Sequence, residues 1–435
     1  MKTKLEKLLF SKVEVWVVLA IIISLLCGAV LFGYVAQERA KGSQIGGELG
    51  SVVSDIAGFP ELISCALEEV GDTKGGRIIP LDIDAGINLN SFKGLENVPG
   101  YIASRSDGKD GKYYQLHQLS TGKLITRWSY SPGGIPAAIS FIDDSLILKD
   151  VGGFEEATES LTKVDLKGVK IWSTVIAAHH AVHVDSGGRI YTPVVMPDHP
   201  NARFIADYRD DGYAVLSAGG EIMEMRSVSD ILRNNNLGHL IYGVGAIEKD
   251  AIHLNSVKPA EMTTKYWRKG DLLMSSRHLS TVFLYRPETG KVIWHKTGPW
   301  LNQHDPDFMG THQISVFGND VVSAYENRTS KDAAFLSETN GADATNEIYI
   351  YDFITDSLST PYSEFMGRIG LSTVTGGAHT ILSDGSLFVY FSNKGLGSIF
   401  NKEKSTTHYF GVMAGQHTVS IGAAPRVYEI AVPEN

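Results

Sequence analysis

Apolar residues are arranged in two ways along this 435-residue chain. Near the start, Val15 to Ala36 is one uncharged run, VWVVLAIIISLLCGAVLFGYVA, apolar on every face of a helix. At about 1.5 Å per residue, roughly 20 helical residues cross the hydrocarbon core, so residues 15–36 predict a transmembrane helix rather than a buried helix of a soluble domain. Trp16 and Tyr34 lie near its ends, where interfacial aromatics gather. Lys2, Lys4, Lys7 and Lys12 precede it and Arg39 and Lys41 follow it, a bias towards a cytoplasmic N-terminus at 1–14 and an exported body. No small-x-small cleavage site follows cleanly, and Leu26 before Cys27 argues against a lipoprotein signal. The expected location is the inner (cytoplasmic) membrane, single-pass, with the body on the periplasmic or extracytoplasmic side.

Residues 37–75 read as a connector, with glycine clusters and a short amphipathic stretch around Pro60–Glu69. From residue 76 to 435 the apolar positions alternate in short runs, and two kinds of segment recur. In the first, a turn precedes a lysine and an alternating strand: Ser120–Trp128, Lys167–Trp172 and Glu288–Trp294. Glycine there takes the positive-φ place of a hairpin turn. In the second, a polar turn joins two apolar strands: Phe141–Leu148, Val184–Tyr191 and Ile381–Val389. Interleaved hairpins over this length predict an all-β fold of radially arranged sheets, a β-propeller. Blades of about 40–50 residues would give six to eight. Six is expected, because polar segments such as Asn327–Asn346 read as insertions. Two β-sandwich domains are the rival, disfavoured because no Pro/Ser-rich linker divides the body.

Composition sharpens this. With 45 Gly and 18 Tyr and few long helical patterns, the chain leans to turn-rich β structure. The net charge is −10, and residues 1–41 hold six basic and three acidic residues, leaving 33 basic and 46 acidic in the rest. An acidic body argues against nucleic acid as a partner, and any anion site must be local. The two cysteines, Cys27 in the apolar run and Cys65 in the connector, cannot make a disulfide framework or a cysteine-rich metal site.

Candidate chemistry lies with the 14 histidines. His117, His199, His239, His408 and His417 read as surface or loop residues. Others are grouped: His179-His180-Ala-Val-His183, Asp250-Ala-Ile-His253-Leu-Asn255, Ser275-Ser-Arg277-His278, Gln303-His304-Asp305 and Gly376-Gly-Ala-His379. Several immediately precede an apolar strand, where a propeller directs residues to its axis. A metal site is one reading, since His179 and His183 share a strand face. No carboxylate pattern completes it, and no metal is expected. An anion site of His, Asn and Arg donors is preferred, with strand-capping histidines as the alternative for any single residue.

Four segments occur in the order found in the bacterial arylsulfate sulfotransferases, the arylsulfotransferase family, which this sequence resembles over about 165–392. Asp250–Val257 is similar to that family's D-x-x-H-x-N-S segment, Gly270–Arg277 to its G-D-x-x-x-S-x-R strand, Thr289–Trp294 to its T-G-x-x-x-W hairpin, and Gln303-His304 to its Q-H pair. His179-His180 resembles its H-H segment, and Gly377–Val389 its late strand pair. Ala181 stands where the family often has Asp, and Val316-Phe-Gly-Asn-Asp320 where it runs F-D-N. The resemblance implies a six-bladed, exported propeller that moves a sulfuryl group from a phenolic sulfate ester to a phenol or other hydroxyl acceptor, with no nucleotide, metal or other cofactor. It implies His304 as the nucleophile that carries the group as sulfohistidine, with His253 and Arg277 as the other catalytic residues. His179, His180, Asn255 and His379 would bind substrate. A nearby Arg would keep the nucleophilic imidazole neutral, and a second His could protonate the departing phenolate. Asp305 could orient His304, but adjacent strand residues point oppositely.

Two other functions remain open on the residues. One is a non-catalytic, membrane-anchored propeller working as a binding or scaffold subunit with a membrane protein partner. The other is a quinoprotein dehydrogenase, which would carry more tryptophan repeats and a vicinal cysteine pair.

Overall fold

The computed structural model describes residues 95–428 except 109–110, 130–133, 151–159, 198–207, 244, 246–247, 323–333, 336–345, 370, 393–395, 403–405 and 412–425, together with eight residues between Ile23 and Val35. Those eight are helical, and no helix among the described residues is long and apolar enough to cross a membrane. The remainder of the expected span and the connector at 37–75 lie outside the described residues. The chain divides into two compact units, Met1–Ile79 and Pro80–Asn435, and all the strands belong to the second.

Those strands form six four-stranded antiparallel sheets, the blades of a propeller. Blade 2 runs outward from Gly134–Ser140 through Ser145–Asp150 and Ser160–Val164 to Lys170–Val175. Blade 3 is His183–Val184, Ile190–Met196, Asp210–Leu216 and Ile222–Ser227. Blade 4 is Leu254–Pro259, Leu272–Ser276, Thr281–Arg286 and Lys291–Thr297. Blade 5 is His304–Met309, Gln313–Gly318, Glu347–Asp352 and Ser357–Ser359. Blade 6 is Ala378–Ile381, Leu387–Phe391, Leu396–Asn401 and Thr406–Gly411. Blade 1 differs: Tyr101–Gly108, Gly111–Gln118 and Leu124–Ser129 are joined on the inside by Arg426–Tyr428, so the end of the chain closes the ring. There Ile102 pairs with Val427.

The two hairpin patterns turn out to be two positions in a blade. The Gly-Lys turns join third to outermost strands, in blades 1, 2 and 4. The polar turns join innermost to second strands, in blades 2, 3 and 6. Gly290 takes the expected left-handed place at φ 68°. Residues 327–346, read as an insertion, fall between the second and third strands of blade 5. That interval also holds a two-stranded ribbon of Val321–Val322 and Ala334–Phe335.

Burial follows strand position. The outermost strand of blade 2, Lys170–Val175, is largely exposed, whereas Leu272–Ser276 in blade 4 is wholly buried, since neighbouring blades cover both its faces. Each neighbouring pair of blades shares one apolar cluster. Trp128 meets Ile139 between blades 1 and 2, Ile147 meets Val194 between 2 and 3, and Tyr213 meets Phe283 between 3 and 4. Leu284 meets Val316 between blades 4 and 5, Phe317 meets Val389 between 5 and 6, and Phe388 meets Ile102 and Val427 between 6 and 1. Each such fully buried aliphatic or aromatic side chain contributes about 1.5–3 kcal/mol. The same clusters fill the space around helices α1 (Val228–Asn234) and α3 (Ser363–Ile369), with α2 (His239–Tyr242) between α1 and blade 4. One histidine departs from expectation here: His117, taken as a surface or loop residue, is buried in the second of the three consecutive strands of blade 1.

In blades 2 to 6 the innermost strand comes first in the sequence. In blades 2, 4, 5 and 6 its first residue therefore lies beside the last or last-but-one residue of the antiparallel second strand: Leu254 pairs with Ser276, and His304 with Phe317, and in blade 3 the preceding Ala178 pairs with Val194. Every residue that precedes an innermost strand, or follows a second strand, is thus delivered to one end of the ring.

Candidate active site

His253 and Arg277 flank the paired residues Leu254 and Ser276 of blade 4, and the Arg277 amide donates to the His253 carbonyl at 3.0 Å. His304 opens blade 5, and Asn319 follows its second strand. His179 and His180 precede the innermost strand of blade 3, with the His179 amide donating to the Pro193 carbonyl at 3.0 Å. His180 and His253 have φ of 52° and 49°, a left-handed conformation that few non-glycine residues adopt and that recurs at functional sites.

The rings form a continuous chain. His179 Nδ1 is 2.8 Å from His180 Nδ1, and His180 Nε2 is 3.2 Å from His253 Nε2. His253 Nδ1 is 2.5 Å from Asp250 Oδ2. His278 completes the cluster: Arg277 Nη1 is 2.8 Å from its Nε2, and its Nδ1 is 2.5 Å from the Asp250 carbonyl. Guanidinium N–H groups only donate and carbonyls only accept, so His278 carries its proton on Nδ1. At the far end, His179 Nε2 is 3.4 Å from Asp211 Oδ1. Asp211 is itself held by Arg209 Nε at 2.9 Å and by the Leu254 amide at 2.6 Å.

His304 is fixed differently. Its Nδ1 is 2.6 Å from Asn319 Oδ1 and 3.1 Å from the Asn302 carbonyl. Both are acceptors, so Nδ1 carries the proton and the lone pair is on Nε2, which has no hydrogen-bond partner among the described residues. Burial, and then the charge of Arg277, push the His304 pKa down to about 3, against the pull of Asn319. The ring is neutral at ordinary pH.

The other groups are held in defined charge states. Burial, and then the neighbouring rings of His253, His179 and His304, hold His180 well below the usual range. His179 is lowered by burial, with Asp211 opposing. His278 is pushed down to about 4 by burial and His253. Burial alone would raise the carboxyls of Asp211 and Asp250, but His179 and Arg209 outweigh it at the first, and His253 and His278 at the second, so both lie below the usual carboxylate range.

Of the residues picked from sequence, His179, His180, His253, Arg277 and His304 are brought together. Asn255 is in the same region, but its Nδ2 donates to the Gln303 carbonyl at 2.7 Å, bracing the residue before His304. Gln303 in turn donates to Ser275 Oγ, the Ser276 carbonyl and the Thr281 carbonyl, tying the start of blade 5 to blade 4. His379 has other company: its Nε2 is 2.7 Å from Ser315 Oγ and its amide donates to Asp305 Oδ2 at 3.0 Å, so it links blade 6 to blade 5. Asp305 faces His379 rather than His304, as strand alternation requires.

Sequence reasoning missed Asp211, and quoted Asp250, His278 and Asn319 without giving them a task. The Asp-x-x-His spacing of Asp250 and His253 was the available signal. Asn319 stands in the Phe-Gly-Asn segment, where the F-D-N pattern keeps its Asn. Asp211 reaches His179 from another strand and has no local signature.

Asp250, His253 and His278 offer one ligand atom each within 4.8 Å of one another. Those atoms are engaged with each other, and the Arg277 guanidinium rests on His278, an unfavourable neighbour for a metal cation. A groove of about 360 Å³ lined by Met225, Arg226 and Ile231 shares no residue with the cluster.

Six blades that gather histidines and an arginine at one end of their axis define a class: a six-bladed β-propeller with a histidine-rich axial cluster. Within that class, the arylsulfotransferase (ASST) family model matches residues 156–408, which contain every cluster residue, and the chain belongs to that family. No curated protein matches it. Among solved structures, it is similar to Kuenenia stuttgartiensis hydrazine synthase, at TM-score 0.39 and 11% identity over 76% of this chain and 81% of that one. It is also similar to a Bacteroides caccae protein of unknown function, at TM-score 0.39 and 9% identity over 67% of this chain and 83% of that one. A streptogramin B lyase aligns at TM-score 0.37 and 10% identity, over 73% of this chain and 85% of that one.

Proposed function

We propose that this protein transfers a sulfuryl group from an aryl sulfate to a phenol or other hydroxyl acceptor through a sulfohistidine on His304. The observation that carries this is the state of His304: buried, neutral, with Nδ1–H held by Asn319 and a free lone pair on Nε2 beside Arg277. Nε2 attacks the sulfur, an N–S bond forms, the ester S–O bond breaks, and the phenolate leaves with the electron pair. The ring becomes cationic as it takes the group, and the Asn319 and Asn302 oxygens stabilise the remaining Nδ1–H. Arg277 meets the charge on the sulfuryl oxygens, as guanidinium groups do in phosphoryl transfer. His180 and His253 supply the proton for the phenolate. An acceptor hydroxyl then attacks the sulfur and regenerates His304. Each charge is met by a side chain, so the scheme uses neither nucleotide nor metal.

The same reading places residues 15–36 in the inner membrane, with the propeller on the extracytoplasmic side, supported by the uncharged run and the lysines that precede it.

The test is to incubate the purified chain with 4-nitrophenyl sulfate and phenol. Nitrophenol release, phenyl sulfate formation and a His304 peptide heavier by one sulfuryl group are expected. Binding of aryl sulfate with no transfer at any pH would overturn the catalytic reading and favour the scaffold role.

A further inference from the structure

Sulfuryl transfer in two halves has a proton to account for. The departing phenolate takes one in the first half, and the acceptor hydroxyl gives one up in the second. The phenol carries the first proton away while the covalent intermediate persists, so the site must hold two protonation states that differ by one.

We propose that His179, His180 and His253, closed by Asp211 at one end and Asp250 at the other, are a proton store serving this transfer; the proposal rests on the reading of His304 as the sulfuryl carrier. The five groups meet at four contacts: Asp250–His253 at 2.5 Å, His253–His180 at 3.2 Å, His180–His179 at 2.8 Å and His179–Asp211 at 3.4 Å. Both ends are carboxylates held ionised, and ionised carboxylates only accept. Each contact is therefore satisfied only by a proton of its own. Three neutral imidazoles bring three protons, one fewer than the contacts require. The weakest link lies at one end: His179 Nε2 is buried and makes no hydrogen bond of good geometry, standing 3.4 Å from Asp211 Oδ1, the longest of the four contacts. Adding one proton fills every contact and places a single imidazolium between two carboxylates.

The loaded chain donates where His180 and His253 face each other through Nε2. As the ester S–O bond breaks, that N–H passes its proton to the phenolate oxygen, and an O–H bond forms. The vacancy then moves through His179 to the Asp211 contact by proton shifts along the rings. In the second half the acceptor O–H gives its proton back as its oxygen bonds to sulfur, and the N–S electron pair returns to His304. Protons and electrons balance over the cycle, and no external base is required.

The surroundings set the balance between the two states. Asp211 and Asp250 favour loading. Arg209 on Asp211, Lys149 donating to the His180 carbonyl at 2.6 Å, Arg277 and any charge on His278 or His304 oppose it, as does burial. Asp211 is the positioning residue to test, because it touches no reacting atom and acts only through His179.

The experiment compares Asp211→Asn, Asp211→Glu and Asp211→Ser with the wild-type full chain, reading the burst of phenol release from 4-nitrophenyl sulfate and from phenyl sulfate across pH. Nitrophenolate leaves without help, whereas phenolate needs the proton. Asp211→Asn is expected to keep the nitrophenyl burst within about threefold and to lose the phenyl burst by about a hundredfold. Its phenyl sulfate profile should fall off at lower pH than the wild type's, because the loaded state has lost a counter-charge. Asp211→Glu should recover much of the phenyl burst, and Asp211→Ser should reproduce the leaving-group dependence if Asp211→Asn does not fold. Equal slowing of both donors with an unchanged pH profile overturns the store and leaves the sulfohistidine intact. No burst from the wild type with either donor overturns the transfer reading, and the store with it.

Discussion

Asn319 Oδ1 lies 2.6 Å from His304 Nδ1, and the amide cannot turn over, because its Nδ2 donates to the Thr373 carbonyl at 3.0 Å and to the Gly376 carbonyl at 2.9 Å. One asparagine thereby sets which nitrogen of His304 carries the lone pair, and it does so from the residue that follows the second strand of the same blade.

Replacing Asn319 by Ala should let the His304 tautomers mix and free the ring to rotate. The burst rate with 4-nitrophenyl sulfate is expected to fall about ten- to a hundredfold, the cost of losing a partner that orients a reactive imidazole. Stopped-flow absorbance checks it, with melting temperature as the control for folding.

Arg277→Lys keeps the charge but loses the two-pronged donor and the contact to His278 Nε2. A fall in kcat/KM of about a hundredfold or more is expected, mostly in kcat, since the charge to be met grows in the transition state. Arg277→Gln removes the charge that helps depress the His304 pKa, so the acidic limb of its rate profile should move to higher pH.

Stability should fall in acid. His304 and His278 titrate near 3 and 4 when folded, against about 6.5 when unfolded. Between those values the unfolded chain binds more protons, so stability is fully present above about pH 6.5 and is lost as pH falls towards 4. Calorimetry from pH 7 to 4 should show a steadily declining melting temperature, with a shallower decline for His304→Gln.

Gly377 precedes the innermost strand of blade 6 at φ 114°, and a Cβ there would stand 2.5 Å from the Phe317 ring. Gly377→Ala should cost about 2–4 kcal/mol, from the left-handed backbone and from overpacking together. Phe317 pairs with His304 across the hairpin, so activity should fall by more than the folded fraction does. Chemical denaturation measured alongside burst amplitude separates the two losses.

The hairpins were legible because a glycine turn and an alternating strand are local signals. Ser120–Trp128 and Phe141–Leu148 were readable as two kinds of hairpin, though only the sheets show that one is an outer and the other an inner pair. The cluster was legible as far as its members precede inner strands, which is why His179, His180, His253 and His304 stand out. His379 is the second residue of such a strand, and it is turned to Ser315 and Asp305 by packing between blades, which no spacing encodes. Asp211 was invisible for a similar reason: it lies near the start of the strand Asp210–Leu216, and its partner belongs to a loop more than a strand away in sequence.

The strand Arg426–Tyr428 gives the fold a direction in time. Val427 must find Ile102 across nearly the whole propeller sequence, and until it does, blade 1 has an open edge and the ring is a spiral. A chain whose Arg426–Tyr428 segment is not yet in place does not possess the piece that locks it. Closure therefore waits for Arg426–Tyr428, and the other five blades can form before the ring locks.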